Sequence, residues 1–138
     1  MWNLQPERNR CRLLVVDDEP SIRTLLKHIL EMEGFQTTEA GSAREAMRAL
    51  ERHDTDLLVT DIQMPEVSGL QLFEAARAED PAISILLMSG SAPEQIAANC
   101  GCSFLMKPFS FGDLSARVRQ LLSIQQRRAS AAAPPERA

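Results

Sequence analysis

Three carboxylates, a hydroxyl and an amine stand at the ends of apolar runs in this chain. Leu13-Leu14-Val15-Val16 ends in Asp17-Asp18, and Asp56-Leu57-Leu58-Val59-Thr60 ends in Asp61. The run through Leu86-Leu87-Met88 ends in Ser89, and Phe104-Leu105-Met106 ends in Lys107-Pro108. A buried parallel strand carries apolar side chains on both faces, so a charge must wait for its carboxyl end. On neighbouring strands of one sheet, these residues converge on one crevice. Like charges within a few ångströms raise one another's pKa unless a cation separates them. Two adjacent acids and a third suit a hard divalent ion. Mg²⁺ keeps several waters and takes one or two carboxylates plus a phosphoryl oxygen. Asp61 is the candidate nucleophile, since a carboxylate can attack phosphorus to give an acyl phosphate. Lys107 can neutralise a phosphoryl oxygen as a compact charge, and the Ser89 hydroxyl can donate to another. Each residue also has an ordinary structural role. Asp17-Asp18 ahead of Pro20 favour a helix N-terminus, Lys107 can snorkel from a strand end, and Ser89 can be a turn serine. Those separate roles leave unexplained why all of them close strands.

The elements that must position these groups follow from periodicity. Residues 12–16, 56–60, 82–88 and 103–106 read as buried strands, and 35–40 as a more exposed one. Between the first two strands, Pro20 opens a helix with Asp18 or Glu19 near its cap. Ile22, Leu25, Leu26, Ile29 and Leu30 form its apolar stripe, and Gly34 closes it. Ser42 and Glu45 form a capping box for a helix reaching about His53. Met64-Pro65-Glu66-Val67-Ser68-Gly69 is a turn, with Gly69 either shaping helix entry or serving as an ordinary turn glycine. It precedes a helix carrying Leu70, Leu72, Phe73 and Ala76. Pro93 to Ala98 predicts a short helix. Ser110 with Asp113 caps a last one bearing Leu114, Val118, Leu121 and Leu122. Five strands alternating with five helices predict an α/β fold, a doubly wound parallel sheet with ligands at the carboxyl ends of its strands.

The 138 residues, 44% of them hydrophobic, suffice for one core. We expect residues 1–10 to be a flexible lead-in, 11–125 the domain, and 126–138 a disordered tail of Ala, Pro and Arg. A net charge of −4 without a basic stripe argues against direct binding of nucleic acid. No apolar stretch reaches the length of a membrane span, and the first residues lack the apolar core of a secretory signal. Cys11, Cys100 and Cys102 are an odd set, and Cys100-Gly101-Cys102 lacks the further ligands of a zinc site. They read as small thiols of a reducing, cytoplasmic compartment.

Four motifs in order resemble the receiver domain of two-component response regulators, over about residues 12–122. They are Val15-Val16-Asp17-Asp18-Glu19-Pro20, Thr60-Asp61-Ile62-Gln63-Met64-Pro65 with Gly69, Leu87-Met88-Ser89-Gly90, and Phe104-Leu105-Met106-Lys107-Pro108-Phe109. The resemblance implies a flavodoxin-like sheet of strand order 2-1-3-4-5. It implies that Asp61 accepts a phosphoryl group from a phosphohistidine of a sensor histidine kinase or histidine phosphotransfer protein. It further implies that Asp17, Asp18, Asp61 and the backbone carbonyl of Gln63 hold Mg²⁺, with Lys107 as the phosphoryl counter-ion. Ser89 would be the switch hydroxyl, and Phe104 the switch aromatic that turns inward with it. The surface near the fourth helix and fifth strand would then bind a downstream protein or pass the phosphoryl group on. The assembly would be a monomer or a weak dimer through that face.

Departures from the family pattern are equally specific. Phe104 carries no hydroxyl, Glu66 stands where the family often has glycine, and the spacing from Ser89 to Lys107 is about four residues short, which predicts a shortened fourth helix. Gln63 and Ser91 occupy positions where the family tunes dephosphorylation. The expected protein is not an enzyme but a phosphorylation-dependent binding module without an output domain of its own. Two alternatives use the same residues. A receiver fold that works without phosphorylation needs no reactive Asp61. A phosphatase of the haloacid dehalogenase class expects a second Asp two residues after the nucleophile, where this chain has Gln63.

Overall fold

The computed structural model describes residues 11–64, 66–90 and 103–132, with side chains to Ile124. The expected lead-in, the short helix from Pro93 to Ala98, Ser91, Cys100, Cys102 and the last six residues lie outside the described residues. The chain runs β1 (Arg12–Val16), α1 (Pro20–Met32), β2 (Gln36–Ala40), α2 (Ala43–Leu50), β3 (Leu57–Asp61), α3 (Gly69–Glu79), β4 (Ser84–Ser89), β5 (Ser103–Met106) and α4 (Phe111–Ala132). The strands form one sheet in the order β2-β1-β3-β4-β5, every neighbouring pair parallel. This is the doubly wound, flavodoxin-like arrangement expected, with four helices among the described residues.

Alternation along the strands divides the core in two. Leu14, Val16, Leu58, Ile85 and Leu87 point to one face and pack with Ala46 and Leu50 of α2 and Leu72, Phe73 and Ala76 of α3. Leu13, Val15, Leu57, Val59, Leu86, Met88 and Leu105 point to the other face, under Leu26, Ile29 and Leu30 of α1 and Leu114, Val118 and Leu122 of α4. Each such fully buried side chain contributes about 1.5–3 kcal/mol relative to exposure. Burial on both faces explains why the strands read as unbroken apolar runs. β2 lies at the sheet's edge, and only Thr37 and Ala40 of its five residues are buried.

The helix ends show how local sequence sets the chain's path. Pro20 occupies the start of α1, as expected, but the cap is Glu19, whose side chain makes no capping hydrogen bond. At the other end, the amides of Gly34 and Phe35 donate to the carbonyls of Glu31 and Leu30, with Gly34 at φ 99°. That pair of bonds is a Schellman closure, and it requires the left-handed glycine. Ser42 caps α2 by accepting the Glu45 N–H at 3.2 Å, while Glu45 Oε1 takes the Gly41 N–H at 2.8 Å rather than that of Ser42. A second capping box, Ser68 with Gln71, is complete in both directions and opens α3. Its Ser-x-x-Gln spacing is the same kind of signature that marks Ser42 and Glu45.

Three expectations need adjustment. Leu25 is 41% exposed and lies outside the core stripe, because it sits about 100° around the helix from Leu26. α2 ends at Leu50, short of His53, whose φ of 58° is incompatible with helix. The backbone of α4 continues to Ala132, past the boundary expected at residue 125. Gln, Arg and Ala are good helix formers, and Pro134 is the first residue beyond that cannot extend the run.

Candidate functional site

The register brings the strand ends level. Val16 pairs with Thr60, Asp61 with Met88, and Ser89 with Met106. Asp17, Asp61, Ser89 and Lys107 therefore emerge along one carboxyl edge. Asp61 is itself the last residue of β3 rather than the first beyond it.

Asp17 is buried to 0% exposure. Its N–H donates to the Ala40 carbonyl at 3.3 Å, and its own carbonyl accepts Arg23 Nη1 at 2.7 Å. Side-chain Oδ1 accepts the Glu19 N–H at 2.9 Å, whereas Oδ2 is covered and has no hydrogen-bond partner. Burial is the largest influence on this carboxyl and raises its pKa above the ordinary value. The Glu19 amide and the Lys107 charge oppose that rise, and the Asp61 and Asp18 charges reinforce it. Asp18, next in sequence, is exposed.

Asp61 is buried, with both carboxylate oxygens engaged. Oδ1 accepts the Gln63 N–H at 3.1 Å, and Oδ2 accepts Lys107 Nζ at 3.0 Å. The same ammonium lies 3.8 Å from Asp17 Oδ2. Lys107 is aimed inward from a strand end whose N–H donates to the Ser89 carbonyl at 2.7 Å. The Lys107-Pro108 peptide is cis. One oxygen each of Asp17, Asp18 and Asp61 lies within 4.8 Å of the others. Asp61 and Asp17 thus share one ammonium beside the third acid, Asp18, and a buried oxygen of Asp17 lies there without a hydrogen bond. These donors fit a hard dication: all are oxygens, they carry charge to spare, and one is already stripped of water.

Ser89 is buried at the end of β4, one strand from Asp61. Phe104 is half-buried and packs on the core face shared with α2 and α3, its carbonyl accepting Arg117 Nη1 at 2.7 Å. Gln63 follows β3 and contributes its N–H to Asp61.

Two residues near the site, Gly69 and Glu66, were singled out in the sequence without their backbone roles being fixed. A Cβ added to Gly69 would meet the Asp61 carbonyl oxygen at 2.3 Å and Ile62 Cα at 2.7 Å, while the Gly69 N–H donates to the Ile62 carbonyl at 2.8 Å. Gly69 is therefore a close-approach glycine, which settles the open choice about its role. Glu66 adopts φ 69°, a left-handed conformation suited to glycine. The glycine that the family often carries at this position was the signal for that conformation.

The model of the response regulator receiver domain matches residues 13–119. The response regulator Rre1 of Synechocystis is 40% identical over 121 residues, covering 83% of this chain and 52% of that protein. The probable transcriptional regulatory protein TcrX of Mycobacterium tuberculosis is 34% identical over 114 residues, or 80% of this chain and 49% of that protein. The chain thus spans about half the length of these relatives. Among solved structures, a CheY-like receiver domain protein of Methanospirillum hungatei superposes with a TM-score of 0.82 at 29% identity, covering 86% of this chain and 98% of that one. The response regulator protein TrrA of Thermotoga maritima, solved in complex with Mg²⁺-BeF, gives 0.74 at 33% identity, over 80% of this chain and 98% of that one.

Proposed function

The chain belongs to the response regulator receiver domain family, and on that premise we propose that it is a phosphorylation-activated switch with Asp61 as its phosphoacceptor. The observation that carries this reading is the pairing of Asp61 Oδ2 with Lys107 at 3.0 Å inside a cluster of three carboxylates. A carboxylate oxygen of Asp61 attacks the phosphorus of a phosphohistidine on a sensor histidine kinase or histidine phosphotransfer protein. The new O–P bond forms as the P–N bond breaks, and the imidazole leaves with the electron pair. Asp17, Asp18, Asp61 and the Gln63 carbonyl are the residues that would hold Mg²⁺. When bound, the ion supplies charge neutralisation for the transferring phosphoryl oxygens. Lys107 then exchanges its contact with Asp61 for one with a phosphoryl oxygen. The Ser89 hydroxyl, one strand away, donates to another.

Phosphorylation changes populations only through contacts made better in one conformer. Ser89 and the half-buried Phe104 are the residues through which that difference reaches the surface near β5. Without a hydroxyl, Phe104 can report its state only by packing. The output is binding of a protein partner or onward transfer of the phosphoryl group in a phosphorelay. The reading is of a module that does not turn over an external substrate, does not bind nucleic acid through this domain, and works in the cytoplasm as a monomer or weak dimer through that face. Among the described residues, no helix is long and apolar enough to cross a membrane.

Incubation with a small-molecule phosphodonor and Mg²⁺ tests the chemistry. Intact-mass measurement should show one added phosphoryl group on the unaltered chain and none on Asp61→Asn. Equal labelling of both would move the acceptor elsewhere. No labelling, together with amide spectra unmoved by Mg²⁺ and beryllofluoride, would favour a receiver fold that works without phosphorylation.

A further inference from the structure

We infer that Arg23 is a positioning residue for the acids of the β1–α1 loop, tying Asp17 to the end of edge strand β2. The inference rests on the reading of Asp17, Asp18 and Asp61 as a divalent-cation site.

Arg23 lies one turn into α1, its N–H donating to the Glu19 carbonyl at 3.0 Å. Its guanidinium uses two edges at once. Nη1 donates to the Asp17 carbonyl at 2.7 Å, and Nε donates to Glu39 Oε1 at 3.0 Å. The Arg23 and Glu39 side chains are only 18% and 31% exposed, so this pair is screened less than a surface salt bridge. The Asp17 N–H is bonded to the Ala40 carbonyl, one residue beyond Glu39. Both sides of Asp17 are therefore fastened to the last two residues of β2.

The neighbouring backbone makes room for this fork. A Cβ on Gly41 would stand 3.1 Å from Arg23 Nη1, and the Gly41 N–H is held by Glu45 Oε1 at 2.8 Å. The brace thus runs from the first turn of α2 through Gly41 and Glu39 to Arg23 and Asp17. It never touches a carboxylate of the cluster. Its effect is geometric: mutual repulsion of Asp17, Asp18 and Asp61 pushes the β1–α1 loop outward, and the guanidinium holds that loop at its carbonyl. Acids already held close need less reorganisation to close on a cation. Residues that orient ligands in this way typically change metal affinity by about 10–100-fold when removed.

Arginine is specified because the job needs two donors at a fixed angle. A lysine ammonium on a flexible stem can satisfy Asp17 or Glu39 but does not reproduce the fork.

The test is Mg²⁺ titration of the full chain, followed by amide NMR well below the melting temperature, with thermal melts run in parallel. The unaltered chain should bind Mg²⁺, and Asp18→Asn should bind far more weakly. Arg23→Ala should raise the Mg²⁺ dissociation constant about tenfold. Arg23→Lys should recover less than half of that loss on a logarithmic scale, and Glu39→Gln should weaken binding to an intermediate degree. Should Arg23→Ala fail to fold, the Lys and Gln variants decide the matter. If the unaltered chain binds no Mg²⁺, the cation-site reading falls and the inference with it. If it binds, and the folded Arg23 and Glu39 variants bind equally well with only a lowered melting temperature, Arg23 is merely structural and the inference is overturned.

Discussion

Asp17 has a carboxylate with no exposed surface, one oxygen held by the Glu19 amide and the other without a hydrogen-bond partner. Burial raises its pKa, the nearby Asp61 and Asp18 charges add to the rise, and the Glu19 amide and Lys107 work against it. An acid whose folded pKa lies above its unfolded value favours folding below the unfolded pKa. That contribution is lost as pH rises through the folded pKa. In metal-free protein, Asp17 therefore costs more stability as pH rises from the ordinary carboxylate range toward neutrality. Asp17→Asn keeps the shape and removes the charge. It should melt at a higher temperature than the unaltered chain in chelator near neutral pH, with the difference shrinking toward the ordinary carboxylate pKa. Thermal melts across that range read the sign directly. A lower melting temperature for the Asn variant at neutral pH would mean that Lys107, at 3.8 Å, already stabilises the charge more than burial penalises it.

At the level of elements, Glu66 in the connection from β3 to α3 and Gly69 at the start of α3 carry opposite expectations. At Gly69 a methyl group would strike the Asp61 carbonyl oxygen and Ile62 Cα, both backbone atoms that cannot swing aside. Gly69→Ala should destabilise by about 1–3 kcal/mol and displace the end of β3, so phosphodonor labelling should fall even in the folded fraction. Urea denaturation and single-turnover labelling measure the two effects separately. Glu66 presents the reverse case, since φ 69° strains any residue with a Cβ. Relief of that strain, less the greater freedom of an unfolded glycine, should make Glu66→Gly more stable by about 0.5–1 kcal/mol in the same urea experiment. These differences also mark what sequence could convey. Strands buried on both faces announce themselves as apolar runs, so the residues at their ends, Asp17, Asp61, Ser89 and Lys107, were legible. The Ser110–Asp113 cap was legible because its reciprocal bonds span three residues. Gly69 was ambiguous because the atoms that exclude a Cβ belong to another element. The Arg23–Glu39 pair was silent because its partners meet only across α1 and β2, with no local spacing to betray them.

Across the whole molecule, one sheet edge buries charge, at Asp17 and Asp61, that the apolar core layers exclude. Two apolar layers, one under α1 and α4 and the other under α2 and α3, hold the strands in register. The core thus contributes the stability that the carboxyl edge gives up in bringing Asp17, Asp18 and Asp61 together. That division predicts a thermodynamic linkage. A cation that binds only the folded cluster stabilises the entire domain by an amount that grows with its concentration, about 1.4 kcal/mol at ten times its dissociation constant. For a domain of this size, that corresponds to a melting temperature higher by roughly 4–8 °C. The increment should diminish as pH falls, because protonating Asp17 or its neighbours removes the charge the ion requires. Asp18→Asn leaves the buried core untouched, since Asp18 is exposed, yet it should lose most of the Mg²⁺-induced increment. Melts with and without Mg²⁺ at matched ionic strength isolate the effect from general screening. An equal increment in the unaltered chain and Asp18→Asn would place the stabilising ion outside the cluster. Its loss in the variant would tie the stability of the fold to the charge gathered at this one edge.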